Sequence, residues 1–169
     1  MSLHGVPKPG WRAFQLLHTH AGTRRVRTSV SNQTLAPPAR DNKTFVSAFA
    51  TSNGTVGSLR VFLGFWGNPE PPEGLVVRNR TVRVVVAHAA GQAPTAATAF
   101  VIDAEHANPQ ATWFAQGSPD VANATQREAL LAASEVGVAA AGVQPLNATA
   151  TAVTVEMSEN SAVVVAFAT

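Results

Sequence analysis

The sequence has no cysteine and no tyrosine among its 169 residues. Without cysteine, disulfide bonds and thiolate metal sites are excluded. Charged residues make up only 13 % of the chain, and 12 basic residues nearly balance 10 acidic ones. The single basic cluster, Arg24, Arg25 and Arg27, is typical of the solvated face of a strand, so no nucleic-acid surface is predicted.

Long apolar runs and common active-site motifs are also missing. No stretch reaches the roughly 18 apolar residues of a membrane span, and the start at Met1 lacks the basic and apolar regions of a secretory signal. The chain has no G-x-S-x-G, no glycine-rich phosphate loop and no H-E-x-x-H. We therefore expect neither a cofactor nor a metal.

The number of N-glycosylation sequons conflicts with the absence of a secretory signal at Met1. Six of the nine asparagines head an N-x-S/T sequon without an intervening proline, and these are Asn32, Asn42, Asn53, Asn79, Asn123 and Asn147. This excess predicts glycosylation of an extracellular or lysosomal protein that uses the secretory route, although a Thr-rich loop composition would also generate sequons. The six sequons and the missing signal together predict that the true N-terminus lies upstream of Met1.

Two short helices are predicted. Trp11, Phe14 and Leu17 recur at helical spacing, and Pro9 suits a first turn. The second helix covers residues 125–134, where Thr125 as N-cap and Glu128 would form a capping box.

From Thr23 the apolar period changes to two, which indicates strands, and Val163, Val164 and Val165 are expected to be buried on both faces. The β-prone runs cover residues 23–30, 45–51, 59–66, 81–89, 97–102, 148–157 and 162–167. The last two are expected to form a hairpin through residues 158–161. Turn signals at intervals of about ten residues favour a mainly β protein, an antiparallel β-sandwich of about seven or eight strands.

The stretch from Val101 to Pro119 fits no regular period after Ala104, so we expect a long ordered loop fixed by Trp113. Asp103, Glu105 and His106 could touch a metal or act in catalysis, but no fourth ligand follows at a recognisable spacing. The better interpretation is structural, with turn-forming roles for a set that comprises Asp103, His106, Asn108 and Gly117.

Three tryptophans could stack on sugar rings, although packing in a core or an interface is the plainer role for each. Trp66 stands beside a proline-rich loop and is the best candidate. Trp113 is the second candidate for substrate binding.

Several motifs carry a family resemblance. Residues 5–20 contain K-P-G-W-R-A-F-Q-L-L-H, residues 45–66 contain F-V-S-A-F-A-T and L-R-V-F-L-G-F-W, and residues 102–119 contain I-D-A-E-H-A-N-P, a tryptophan and G-S-P. In this order the motifs resemble the C-terminal region of glycoside hydrolase family 39, which includes β-xylosidases and is related to α-L-iduronidases. Ala104 departs from the pattern, because an acidic residue is common there.

The resemblance implies a division of the chain. Residues 1–22 would be the final helix of an otherwise absent (β/α)₈ barrel, and residues 23–169 would form the accessory β-sandwich. The family's catalytic glutamates lie on barrel strands, so the resemblance assigns no catalytic residue here. The barrel would be the partner, contacted through Trp11, Phe14 and Leu17.

Three functions are therefore compared. The first is the accessory portion of a glycosidase, which supports the catalytic barrel and is not catalytic alone. The second is a free-standing carbohydrate-binding sandwich that uses Trp66 or Trp113. The third is a structural extracellular domain without a small ligand.

Overall fold

A computed structural model describes residues 5–31, 45–67 and 79–169. Within these ranges the chain forms three α-helices and nine strands. In chain order these are α1 (Pro9–His20), β1 (Arg24–Val26), β2 (Phe45–Ser52), β3 (Arg60–Trp66), β4 (Asn79–Ala87), β5 (Ala96–Ile102), α2 (Gln110–Ala115), α3 (Ala124–Ala133), β6 (Gly137–Ala141), β7 (Val143–Asn147), β8 (Ala150–Ser158) and β9 (Ser161–Ala168).

The strands form two antiparallel sheets, which confirms the predicted mainly β class. The larger sheet has the order β1-β2-β3-β9-β5-β6, and the smaller one has the order β4-β8-β7. β2 pairs with β3 from Phe45 to Thr51, with Phe45 opposite Trp66 and Phe49 opposite Phe62. This register puts those four aromatic residues on one face of the larger sheet, because successive side chains alternate between faces.

The main core lies between the two sheets. The larger sheet contributes Val61, Leu63 and Phe65, and the smaller sheet contributes Val153 and Met157. Burying an apolar side chain of this size contributes about 1.5–3 kcal/mol. The alternation of buried and exposed residues along the strands therefore positions both sheets.

α1 covers part of the outer face of the larger sheet. Leu16 is buried there with Phe62, Ile102 and Val164, and Leu17 packs against the same cluster. A guanidinium fixes the helix at its other end, since Arg12 donates from Nε to the carbonyl oxygen of Ser134 at 2.7 Å.

Two predictions about the helices are wrong. The expected irregular loop contains α2, a helix too short to show a helical period in the sequence. α3 begins one residue earlier than expected, because Asn123 is its N-cap and its side chain accepts a hydrogen bond from Gln126 N. Asn123 and Gln126 form the capping box that was assigned to Thr125 and Glu128.

The strand predictions need two further corrections. β8 and β9 are not a hairpin, because they belong to different sheets and residues 158–161 carry the chain between them. β6 and β7 were missed, because their runs of Ala, Gly and Pro have weak β-propensity. Both are edge strands, where Pro145 of β7 is tolerated.

Candidate functional site

The loop after β5 is held by one carboxylate. Asp103 Oδ1 accepts hydrogen bonds from the backbone N–H groups of Glu105 and His106, each at 2.8 Å. His106 Nδ1 lies 2.9 Å from the same oxygen. Three nitrogen atoms of the loop thus contact one carboxylate oxygen of the same loop, and these contacts fix the conformation of the turn. Within the described ranges, no group of three or more His, Asp or Glu residues is placed to hold a metal ion.

The same loop is packed tightly against its surroundings. Ala107 is fully buried at a φ of 58°, and its N–H donates to the carbonyl oxygen of Glu135 at 2.8 Å. The ring of His106 covers Gly137, where an added Cβ would stand 2.5 Å from Cδ2 of the histidine. His106 thus sets the close approach between this loop and β6.

Asn108 and Gly117 flank α2. Asn108 Oδ1 accepts at 3.3 Å from the N–H of Gln110, which is the first residue of α2. Gly117 follows its end with a φ of 79°, and its N–H donates to the carbonyl oxygen of Phe114 at 3.0 Å. A left-handed residue after a helix favours glycine, because no Cβ clashes with the backbone.

Trp113 is half-buried and has its polar atom occupied. Its Nε1 donates to the carbonyl oxygen of Pro119 at 3.3 Å. The ring borders a cleft of about 560 Å³ between the start of α1, α2 and α3, which is also lined by Val6, Asn108 and Leu130. Trp113 therefore fixes the α2 segment, and its ring forms part of the wall of this cleft.

Trp66 lies in a different environment. It is 61 % exposed at the end of β3, and Phe45, directly opposite on β2, is 48 % exposed. Further along the same face, Phe49 stacks on Phe62 with ring centroids 4.6 Å apart and planes 7° apart. We call these four residues the aromatic strip. Trp66 is not among the described residues that line the Trp113 cleft.

The outward face of α1 carries two of the three residues that were predicted to meet a barrel. Trp11 is 48 % exposed and Phe14 is 71 % exposed. Leu17 needs correction, because it is half-buried against the larger sheet. The helical face toward the sheet is instead built on Ala13, Leu16 and Leu17.

Four sequon asparagines fall in the described residues, and all four are exposed: Asn53, Asn79, Asn123 and Asn147. Asn32 and Asn42 lie outside the described residues. In three of the four, Oδ1 accepts a backbone N–H: from Thr23 to Asn53, from Gln126 to Asn123 and from Thr149 to Asn147. In these three residues the amide oxygen is held by the backbone, and the residue itself stays exposed.

Sequence reasoning singled out Trp66 but missed its neighbours. Phe45 and Ser47 lie on the same outer face, opposite Trp66 and Gly64. The missed signal was the hairpin register, because pairing the two runs end to end places residues 45 and 66 side by side.

Comparison with solved structures identifies similar folds. The GH39 (glycoside hydrolase family 39) enzyme of Xanthomonas axonopodis pv. citri matches with a TM-score of 0.62 and 17 % identity, over 97 % of this chain and 31 % of that one. A monomeric β-xylosidase of Caulobacter crescentus CB15 matches with a TM-score of 0.58 and 17 % identity, over 95 % of this chain and 30 % of that one. No protein-family model matches the sequence, and no curated protein does.

The described part of the chain contains no helix that is long and apolar enough to cross a membrane. The chain spans about a third of the length of the solved structures it matches. At 17 % identity the similarity shows the fold alone. It confirms the resemblance drawn from the motifs, because nearly all of this chain has the fold of one region of GH39 enzymes, consistent with their C-terminal part.

Proposed function

We propose that this chain is the accessory β-sandwich portion of a glycoside hydrolase similar to GH39, and that it supports a catalytic barrel without catalysing a reaction itself. The observation that carries the proposal is the asymmetry of coverage, 97 % of this chain against 31 % of the neighbour. One of these neighbours is a β-xylosidase. A β-xyloside is therefore the first substrate class to test for the parent enzyme.

The division at residue 22 belongs to the same proposal. α1 would be the last helix of the barrel, and the sandwich would begin at residue 23. Trp11 and Phe14 would enter the barrel interface, because large apolar side chains exposed next to each other on one helix face favour a partner surface. Arg12 supports a fixed orientation of this face, since its Nη2 lies 2.6 Å from Glu135 Oε1.

The test of the catalytic part is a direct assay. The purified chain is incubated with p-nitrophenyl β-D-xyloside, and the Caulobacter β-xylosidase serves as the positive control. We expect no turnover above the buffer rate, because a glycosidase needs two opposed carboxylates and the family's pair belongs to the barrel. Turnover that copurifies with the chain would contradict the proposal.

The test of the supporting part uses one pair of substitutions in two contexts. In a product that includes the barrel, Trp11→Ser with Phe14→Ser is expected to lower the thermal midpoint and the xylosidase activity. In the present chain the same pair is expected to change the midpoint little, since both side chains face solvent. Phe114→Ser, at an equally exposed site on α2, is the control. If the Trp11 and Phe14 pair and the Phe114 control had equal effects, both with the barrel and without it, a specific interface would be contradicted.

We also infer that the protein follows the secretory route and carries N-glycans, which places it outside the cell or in lysosomes. The exposure of Asn53, Asn79, Asn123 and Asn147 supports this. Expressed behind a leader in a eukaryotic host, the chain should lose mass on enzymatic removal of N-glycans, and Asn147→Gln should remove one glycan. A mass equal to that of the bare polypeptide would overturn the inference.

A further inference from the structure

The aromatic strip presents an unusual surface on the outer face of the larger sheet. Trp66 and Phe45 form one cross-strand pair, and Phe49 and Phe62 form another, with Ser47 and Gly64 between them. The two pairs lie four residues apart along β2, which corresponds to roughly 13 Å at the rise of a strand. The two aromatic pairs are thus separated by a shallow gap that contains only the small side chain of Ser47 and the backbone of Gly64.

Gly64 shapes this gap. A Cβ placed on Gly64 would stand 4.0 Å from Nε1 of Trp66, so the indole leans back over the glycine. The same Cβ would stand 3.1 Å from Oγ of Ser47. A larger side chain at residue 64 would fill the gap between the two aromatic pairs. With glycine there, the sheet between the two aromatic pairs remains open to a flat ring.

Polar groups border the strip, and none of its residues is charged. Ser47 Oγ donates to the carbonyl oxygen of Gly64 at 3.4 Å, a long bond that a better acceptor would replace. Beyond Trp66, the side chain of Asn160 accepts from Gly67 N at 3.2 Å through Oδ1. Gly67 directly follows Trp66, so this bond brings the Asn160 side chain to the end of the strip.

The free area of the strip is small for a protein interface. The exposed fractions of Phe45, Phe49 and Trp66 are 48 %, 36 % and 61 %. With about 200 Å² for each aromatic side chain, they amount to about 300 Å². A stable protein–protein interface buries about 800 Å² on each partner. The area suits a ligand a few rings long better than a folded partner or a second copy of this chain.

We propose that the aromatic strip is a carbohydrate-binding surface for a neutral pyranose chain. The C–H face of one sugar ring stacks on Trp66 and Phe45, and the hydroxyls of the chain bond to Ser47 and Asn160. Aromatic faces attract the weakly positive C–H groups of a ring, and a few polar groups set its orientation. The proposal rests on the proposed function only for the choice of xylan as the first probe.

The experiment is affinity electrophoresis of the full chain in gels that contain soluble xylan, with hydroxyethyl cellulose as a second polymer. Wild-type chain is expected to be retarded in one or both gels. Trp66→Ala should weaken the apparent binding constant roughly tenfold or more, because the best stacking surface is removed. Trp11→Ala is the matched control, since Trp11 is also exposed but lies on α1, and it should leave retardation unchanged.

Several results would overturn the proposal. These are wild-type mobility unchanged by either polymer, equal retardation of wild type and Trp66→Ala, and equal loss in Trp66→Ala and Trp11→Ala. Sedimentation that shows a dimer abolished by Trp66→Ala would assign the strip to a copy interface instead. Phe45→Ala is the second variant, expected to weaken binding severalfold if Trp66→Ala fails to fold. None of these measurements involves the barrel. A negative binding result would therefore overturn the carbohydrate-binding proposal without testing the proposed accessory role.

Discussion

At the scale of single residues, His20 couples α1 to the sheet. Its ring lies 4.3 Å from the ring of Phe100, centroid to centroid. Burial, and next the positive charge of Arg60, lower the pKa of His20 below its ordinary value of 6.5. Arg60 cannot move away easily, because it donates to the carbonyl oxygens of Gly57, Leu59 and Phe167. The folded state therefore favours the neutral imidazole.

This shift predicts a pH dependence of stability. Because the unfolded chain binds the proton more tightly, the contribution of His20 is fully present above about pH 6.5 and is lost as the pH falls through the lower, folded pKa. The urea midpoint should therefore drop between pH 7.5 and pH 5, and His20→Gln should reduce the size of that drop. A drop of the same size in the variant would contradict this role.

The cap of α3 gives a second prediction at this scale. Asn123 Oδ1 accepts from Gln126 N at 2.9 Å, and Gln126 Oε1 accepts from Asn123 N at 3.0 Å. Asn123→Ala should cost about 1 kcal/mol of unfolding free energy, measured in urea. Thr125→Ala, inside the helix, is the control and should change stability by less than about 0.5 kcal/mol. A larger loss of stability for Thr125→Ala than for Asn123→Ala would contradict this assignment and would favour Thr125 as the N-cap.

At the scale of elements, α1 has two apolar faces with different roles. One face buries Leu16 on the larger sheet. The other leaves Trp11 and Phe14 in solvent. An amphipathic helix of a finished domain normally has one apolar stripe. The second stripe is the feature that connects this element with the proposed barrel.

The two faces should respond differently to substitution in the isolated chain. Leu16→Ala should lower the unfolding free energy by about 2–5 kcal/mol, because it leaves a cavity in the outer cluster. Phe14→Ser should change it by less than about 0.5 kcal/mol. Equilibrium unfolding in urea, followed by tryptophan fluorescence, measures both. A large loss for Phe14→Ser would mean that this face is already covered within the chain.

At the scale of the whole molecule, the sequence predicted the class of fold because β-branched and aromatic residues are frequent in β3 and β9, and because apolar and polar residues alternate along β8. It could not predict which strands pair. Residues 158–161 have hairpin chemistry, yet β8 and β9 belong to different sheets, since pairing depends on how the apolar faces of distant strands meet. The short α2 was missed for a local reason, because six residues are too few to show a helical period.

The candidate sites divide in the same way. Trp66 and the sequon asparagines are visible from residue type and spacing alone. The neighbours of Trp66 on β2 required the register, which only the paired strands supply. Trp11, Phe14 and Leu17 follow one another at helical spacing, so all three were predicted to lie on the same outward face of α1. Only the docked helix shows that Leu17 faces the sheet.

The sequence of the transcript upstream of Met1 would test most directly whether this sandwich belongs to a longer glycosidase. We expect an open frame that continues into alternating strands and helices with an Asn-Glu pair at a strand end. That segment should supply most of the length that the solved neighbours have beyond the 31 % and 30 % matched here. A transcript that begins translation at Met1 would contradict the claim.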